Sequence, residues 1–145
     1  MIPPAGRGYP GADSIPAKGP HATILELARA AASAADAKKA KDIVVLDMRD
    51  LVTYTDYLVV CTGQTPRQTK AISEEVRRSL KDTLGVTPRR AEGERDGEWI
   101  LLDYLDAVVH VFTPQAREFY RLDRLWRAAP QLPGTVAAAG GASAI

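Results

Sequence analysis

The sequence predicts an α/β fold: a sheet of about five strands with helices on both faces. Three observations support this. First, Trp99-Ile-Leu-Leu-Asp-Tyr-Leu-Asp-Ala-Val-Val-His-Val-Phe112 is the longest apolar density in the chain. It reads as two short strands, Trp99 to Tyr104 and Ala107 to Phe112, turning at Leu105-Asp106. Second, both strands are apolar on both sides: Ile100, Leu102, Val109 and Val111 on one, Leu101, Val108 and Phe112 on the other. Such strands belong in the middle of a sheet that is covered on two faces, normally by helices. Third, the rest of the chain supplies further strands and helices in the order αββαβββα.

In chain order, Met1 to Pro20 is crowded with Pro, Gly and Ala and has no periodicity. It is expected to be a disordered leader, or an over-extended start site, and to lie outside the fold. Thr23-Ile-Leu-Glu26 is a capping box that opens the first helix. Ile24, Leu27, Ala28, Ala31 and Ala35 then form a narrow, mostly alanine stripe. Lys38, Lys39 and Lys41 suit the negative end of that helix, and a solvated helix terminus explains them better than a phosphate contact does. Asp42 to Met48, β-branched and apolar, is the first strand, and Tyr57 to Thr62 the second.

Thr65 and Pro66 open the next helix as N-cap and first helical residue, with Gln68 expected to close a capping box. Ile72, Val76 and Leu80 supply its buried stripe, and Gly85 ends it in a left-handed cap. Arg89 to Glu92 is short and charged, as suits a strand at a sheet edge. Thr113-Pro114 opens the last helix, whose inner face is expected to carry Phe119, Leu122, Leu125 and Trp126. The folded domain should span residues 21–129, and residues 130–145, rich in Pro, Gly, Ala and Ser, should form a flexible tail.

Composition excludes several function classes. The 145 residues suit one domain with a real core. A net charge of +1 gives no global pull towards nucleic acid. No apolar run approaches a membrane span, and the start of the chain lacks a signal-peptide pattern. The single cysteine, Cys61, fits a reducing cytoplasm.

Carboxylates are the first candidates for chemistry. Asp47, Asp56, Asp103 and Asp106 lie at strand ends or turns, but no Asp-x-Asp pair is present. Alternate residues on one strand share a face, so such a pair is the simplest way to bring two carboxylates to a metal. The Gly63-Gln64 turn lacks the residues of a phosphate cradle, and no cofactor is implied.

A turn at Leu105-Asp106 puts Trp99, Leu101, Asp103, Val108 and His110 on one face. Asp103 and His110 are then diagonal neighbours, about 7–8 Å apart at the backbone. An acid–histidine pair suggests a general base. With no nucleophile beside it, a structural hydrogen bond, or an Asp103 offered to a partner, is the stronger reading. Trp99 follows the polar loop Glu94 to Glu98 and reads equally as a core or rim residue and as a binding anchor. Arg117, Arg121 and Arg124 recur at helical spacing and could meet RNA phosphate, although the interleaved Glu118 and Asp123 favour a solvated face.

Six segments together carry a resemblance. They are Asp42-Ile-Val-Val-Leu-Asp47, Thr55-Asp-Tyr-Leu-Val-Val-Cys-Thr-Gly63, Glu92-Gly93, Trp99-Ile-Leu-Leu-Asp103, Val108-Val-His-Val-Phe112 and Arg117-x-Phe-Tyr-x-Leu-x-x-Leu-Trp126. In that order and spacing the chain resembles the ribosomal silencing factor (Iojap-related) family from about Thr23 to Trp126. The resemblance implies a mixed five-stranded sheet with a nucleotidyltransferase-like shape but no such activity. It also implies binding to ribosomal protein L14 on the large subunit, interference with small-subunit joining, lowered translation when nutrients are short, and a homodimer when free. The family's ribosome-contacting tryptophan falls on Trp99, with Ile100 and Asp103 beside it and Tyr104 and Asp106 as weaker candidates. The competing reading is a small nucleotidyltransferase-like or hydrolytic enzyme using Asp47, Asp103 and His110.

Overall fold

The computed structural model describes residues 23–120 and 127–132. Helix α1 is Ile24–Ala37, followed by strands β1 (Lys41–Asp47) and β2 (Tyr57–Thr62). Helix α2 is Pro66–Leu84; strands β3 (Arg90–Glu92), β4 (Trp99–Asp103) and β5 (Ala107–Phe112) follow, and helix α3 (Pro114–Tyr120) comes last. The predicted order of elements holds throughout.

The strands form one mixed sheet in the order β1-β2-β5-β4-β3. Strands β2 and β5 are parallel, and the other pairs are antiparallel. The helix-covered face buries Val45, Tyr57, Val59, Cys61, Val109, Val111, Ile100 and Leu102 against Leu27 and the alanines of α1 and against Ile72, Val76 and Leu80 of α2. The opposite face, called the front face below, buries Leu46, Leu58, Val60, Val108 and Phe112. Ala116 of α3, Ala129 and Met48 cover it.

Local chemistry explains the helix boundaries. The Thr23 hydroxyl accepts from the Glu26 N–H at 3.1 Å and Glu26 Oε1 accepts from the Thr23 N–H at 2.9 Å, so the capping box is complete. Gly85 stands at φ 72° and closes α2 in the left-handed conformation that glycine adopts without penalty. Gln68 departs from expectation. Its side-chain oxygen accepts from the Gln64 N–H rather than from the N-cap, and its amide donates to the carbonyls of Lys38 and Lys39. It thereby ties the start of α2 to the end of α1, a partnership between distant segments that local sequence does not show.

Two other expectations need correction. Phe119 does not line an inner face: it is 77% exposed. The segment ends of α3 place Ala116 against the sheet instead, while Leu122, Leu125 and Trp126 lie outside the described residues. The tail does not begin at 130. Asp47 donates its N–H to the Pro130 carbonyl and the Leu132 N–H reaches the Val45 carbonyl, both at 2.9 Å, so residues 130–132 pair along the outer edge of β1. An unpaired edge is costly to leave open, which gives the segment a reason to dock. Strand β1 is irregular near Asp42, which sits at φ 50° where the register with β2 shifts.

The alanine stripe of α1 determines how closely that helix approaches the sheet. Ala28, Ala31, Ala32 and Ala35 are all fully buried, leaving no space for a longer side chain. Replacing Ala31 with leucine is expected to cost about 1–3 kcal/mol of stability, read as a lowered urea midpoint with an unchanged slope.

Candidate functional site

Strand alternation places the candidates. On β4, Trp99, Leu101 and Asp103 share the front face, while Ile100 and Leu102 enter the helix-covered core. Across the pairing, Trp99 stands opposite Phe112, Leu101 opposite His110 and Asp103 opposite Val108. Gly93 makes the approach to this strand possible. It sits at φ 83°, and a Cβ there would lie 1.9 Å from the Trp99 carbonyl oxygen. Thr69 of α2 donates its hydroxyl to the Gly97 carbonyl at 2.6 Å, fixing the same loop to the helix.

Trp99 is half-buried on this face. Its ring lies 5.1 Å from that of Phe112 and 5.9 Å from that of His110, centroid to centroid. The indole Nε1–H donates to His110 Nδ1 at 3.0 Å. Leu101 continues the patch, also half-buried. Asp103 borders it with its carboxylate turned to its own protein. Oδ1 accepts from the Leu105 N–H at 2.8 Å, and Oδ2 lies 3.3 Å from Arg89 Nε and 3.7 Å from Arg90 Nη2. Both arginines are exposed, so the patch has an apolar centre and a charged rim.

The structure thus joins Trp99 and Asp103 and separates them from the other predicted contacts. Ile100 is fully buried under the helices and supports the strand from behind. Tyr104 is buried in that same core, where its hydroxyl makes no hydrogen bond to the described residues and burial raises its pKa. Asp106 is buried at the turn, where its carbonyl accepts from the N–H groups of Asp56 and Tyr57. Leu101, Arg89 and Arg90 are the site residues that the sequence reading left out. The signal for Leu101 was the two-residue period itself, which puts Leu101 with Trp99 and Ile100 against it.

The acid–base alternative does not assemble. Asp103 and His110 are diagonal neighbours, as expected, but Asp103 is occupied by the arginines and His110 by Trp99. Asp47 is paired with Tyr57, which faces the helices, so Asp47 and Asp103 point to opposite faces, three strand spacings or roughly 14 Å apart. Arg49 grips Asp47 through Nε and Nη2 at 2.9 and 2.7 Å and holds its carboxyl below the usual range. Burial pushes the Cys61 thiol up to about 12, which makes it a poor nucleophile. Among the described residues no group of three or more His, Cys, Asp or Glu side chains could hold a metal ion. Of the arginine stripe, Arg117 turns inward, donating to the Thr62 hydroxyl at 2.7 Å and to the Asp42 carbonyl at 3.1 Å. Arg121 and Arg124 lie outside the described residues.

His110 titrates well below the ordinary range of an imidazole. Burial drives its pKa down from 6.5 to about 4, against a smaller upward pull from Asp103. The ring is therefore neutral near pH 7, with Nδ1 free of a proton and able to accept from Trp99. Above pH 6.5 both folded and unfolded chains carry a neutral ring and the full stability stands. Between 6.5 and 4 only the unfolded chain binds the proton, so stability falls as pH falls. The loss should approach about 3 kcal/mol by pH 4, measured as the difference in urea unfolding between the native chain and His110→Phe, which lacks this titration.

Comparison with known proteins agrees with the fold. The family model for ribosomal silencing factor during starvation matches residues 21–143. A ribosomal silencing factor of Bacillus subtilis is 38% identical over 108 residues, covering 74% of this chain and 88% of that protein. One from Chromobacterium violaceum is 39% identical over 103 residues, covering 71% of this chain and 84% of the relative. A crystal structure of a Chromobacterium violaceum protein superposes with a TM-score of 0.71 at 36% identity, covering 79% of this chain and 93% of that one. With a family model over residues 21–143 and relatives matched in sequence and in fold over most of their length, this chain belongs to the ribosomal silencing factor family.

Proposed function

We propose that this protein docks on the large ribosomal subunit through ribosomal protein L14 and sterically blocks joining of the small subunit. Translation would then fall when nutrients are short. The observation that carries this reading is Trp99, half-buried on the front face, hydrogen-bonded to His110 and flanked by Leu101 and the arginine rim. An aromatic anchor at the centre of an apolar patch with a polar rim is the usual composition of a binding hot spot. Family membership supplies the ribosome as the partner. The action is non-catalytic, because steric exclusion needs a placed surface and no bond-making. It takes place where cytoplasmic ribosomes are; no helix among the described residues is long and apolar enough to cross a membrane.

Ile100, Tyr104 and Asp106 enter this proposal as supports for the strand and turn that present Trp99. Contact with ribosomal RNA is assigned to the exposed rim arginines, Arg89 and Arg90, rather than to Arg117. The free protein is proposed to be a homodimer, and light scattering at micromolar concentration that finds only monomer would rule this out.

Trp99→Ala is expected to weaken binding to isolated large subunits by about thirtyfold or more, since truncating such an anchor typically costs about 2 kcal/mol. Because Trp99 is only half-buried, the domain should still melt cooperatively. Sedimentation with large subunits, read beside a thermal melt, checks both. If the melt collapses together with binding, Trp99 is a core residue and the docking assignment is wrong.

A further inference from the structure

We infer that His110 is a positioning residue for Trp99, its Nδ1 fixing the indole in the orientation that the large subunit meets. This rests on the docking role proposed for Trp99. An indole has a single polar atom, Nε1–H, and a half-buried ring at the start of a strand can turn about two side-chain bonds. Packing against the Phe112 ring narrows those orientations, and the directional hydrogen bond to His110 Nδ1 at 3.0 Å fixes the polar edge of the indole within them.

The acceptor is rooted in the central, buried strand of the sheet. His110 is 6% exposed, and its ring lies nearly parallel to that of Phe112, with 5.9 Å between centroids and 8° between planes. Phe112 is fully buried, and β5 is the middle strand of five, paired to β2 and β4 over its length. Val60, Leu101, Val108 and Phe112 surround His110 on this face, a setting where a leucine or phenylalanine would pack without the cost of burying an imidazole. The hydrogen bond to Trp99 offsets that cost, and it also orders the indole before docking. A side chain already held in its bound orientation loses less freedom on association, an advantage of about fivefold in affinity.

Two replacements separate orientation from packing. His110→Phe keeps a ring of similar shape over Phe112 but offers no acceptor; His110→Asn places Oδ1 near the position of Nδ1. In the nitrogen-15-labelled full chain, a coupling across the hydrogen bond between Trp99 Nε1 and His110 Nδ1 is expected, together with slow exchange of the indole proton. His110→Phe should melt as a folded protein, exchange the Trp99 indole proton about tenfold faster and bind large subunits about fivefold more weakly. His110→Asn should recover most of both. A folded His110→Phe that binds like the native chain while Trp99→Ala does not would overturn the positioning role and leave docking standing. If Trp99→Ala itself binds like the native chain, the docking reading has failed and the positioning role falls with it. Should His110→Phe not fold, His110→Asn decides alone: restored binding with a protected indole proton supports the role, and restored binding with an unprotected one overturns it.

Discussion

Strand β5 is buried along its whole length, and the rest of the structure depends on the way it is enclosed. A strand in that position can satisfy its backbone only through neighbours on both edges, and its side chains only through cover on both faces. Parallel pairing with β2 meets the first demand on one edge and antiparallel pairing with β4 on the other. On the faces, α1 and α2 cover Val109 and Val111, while the front face closes over Val108 and Phe112 with α3, Met48 and Ala129. The tight turn at Tyr104 to Asp106 sets the register of β4 against β5, and that register decides which residues of β4 share a face with His110.

The two layers that cover the sheet are unequal. On the helix side, small alanines of α1 bring a full helix close to the sheet, and α2 adds a second one. The front side is thinner towards β4 and β3, where Trp99 and Leu101 stay half-buried beside exposed arginines. Among the described residues the sheet is covered fully on one side and partly on the other, which leaves a half-buried apolar area around Trp99 and Leu101. The edges are handled differently again: residues 130–132 cover β1, and β3 is short and charged.

Polar groups inside the site are arranged so that each has a use. Asp103 binds the Leu105 N–H at the turn and gathers Arg89 and Arg90 to the rim, so its buried charge is compensated. His110 is kept neutral by burial and serves as an acceptor. Each of these groups could have been a catalytic acid or base in another setting. Here each is engaged with a structural partner, which suits a surface that has to be held in one shape.

By itself the sequence determined the local and periodic features. The capping box at Thr23, the left-handed end at Gly85, the element order and the short edge strand all follow from propensity and spacing over a few residues. The two-residue period already grouped Trp99, Leu101, Asp103 and His110 on one face, and the familiar segments gave the family. Only the tertiary structure decided what lies across space. It turned Gln68 to the end of α1, folded Arg117 onto Thr62, left Phe119 outward and brought residues 130–132 back to β1. It also decided which side of β4 the helices cover, the side of Ile100 and Leu102 rather than that of Trp99. The reason is physical: a helical or strand pattern says which residues share a side, but which sides are covered depends on segments dozens of residues away. Burial and long-range hydrogen bonds belong to the packed chain, and so does the hydrogen bond between Trp99 and His110.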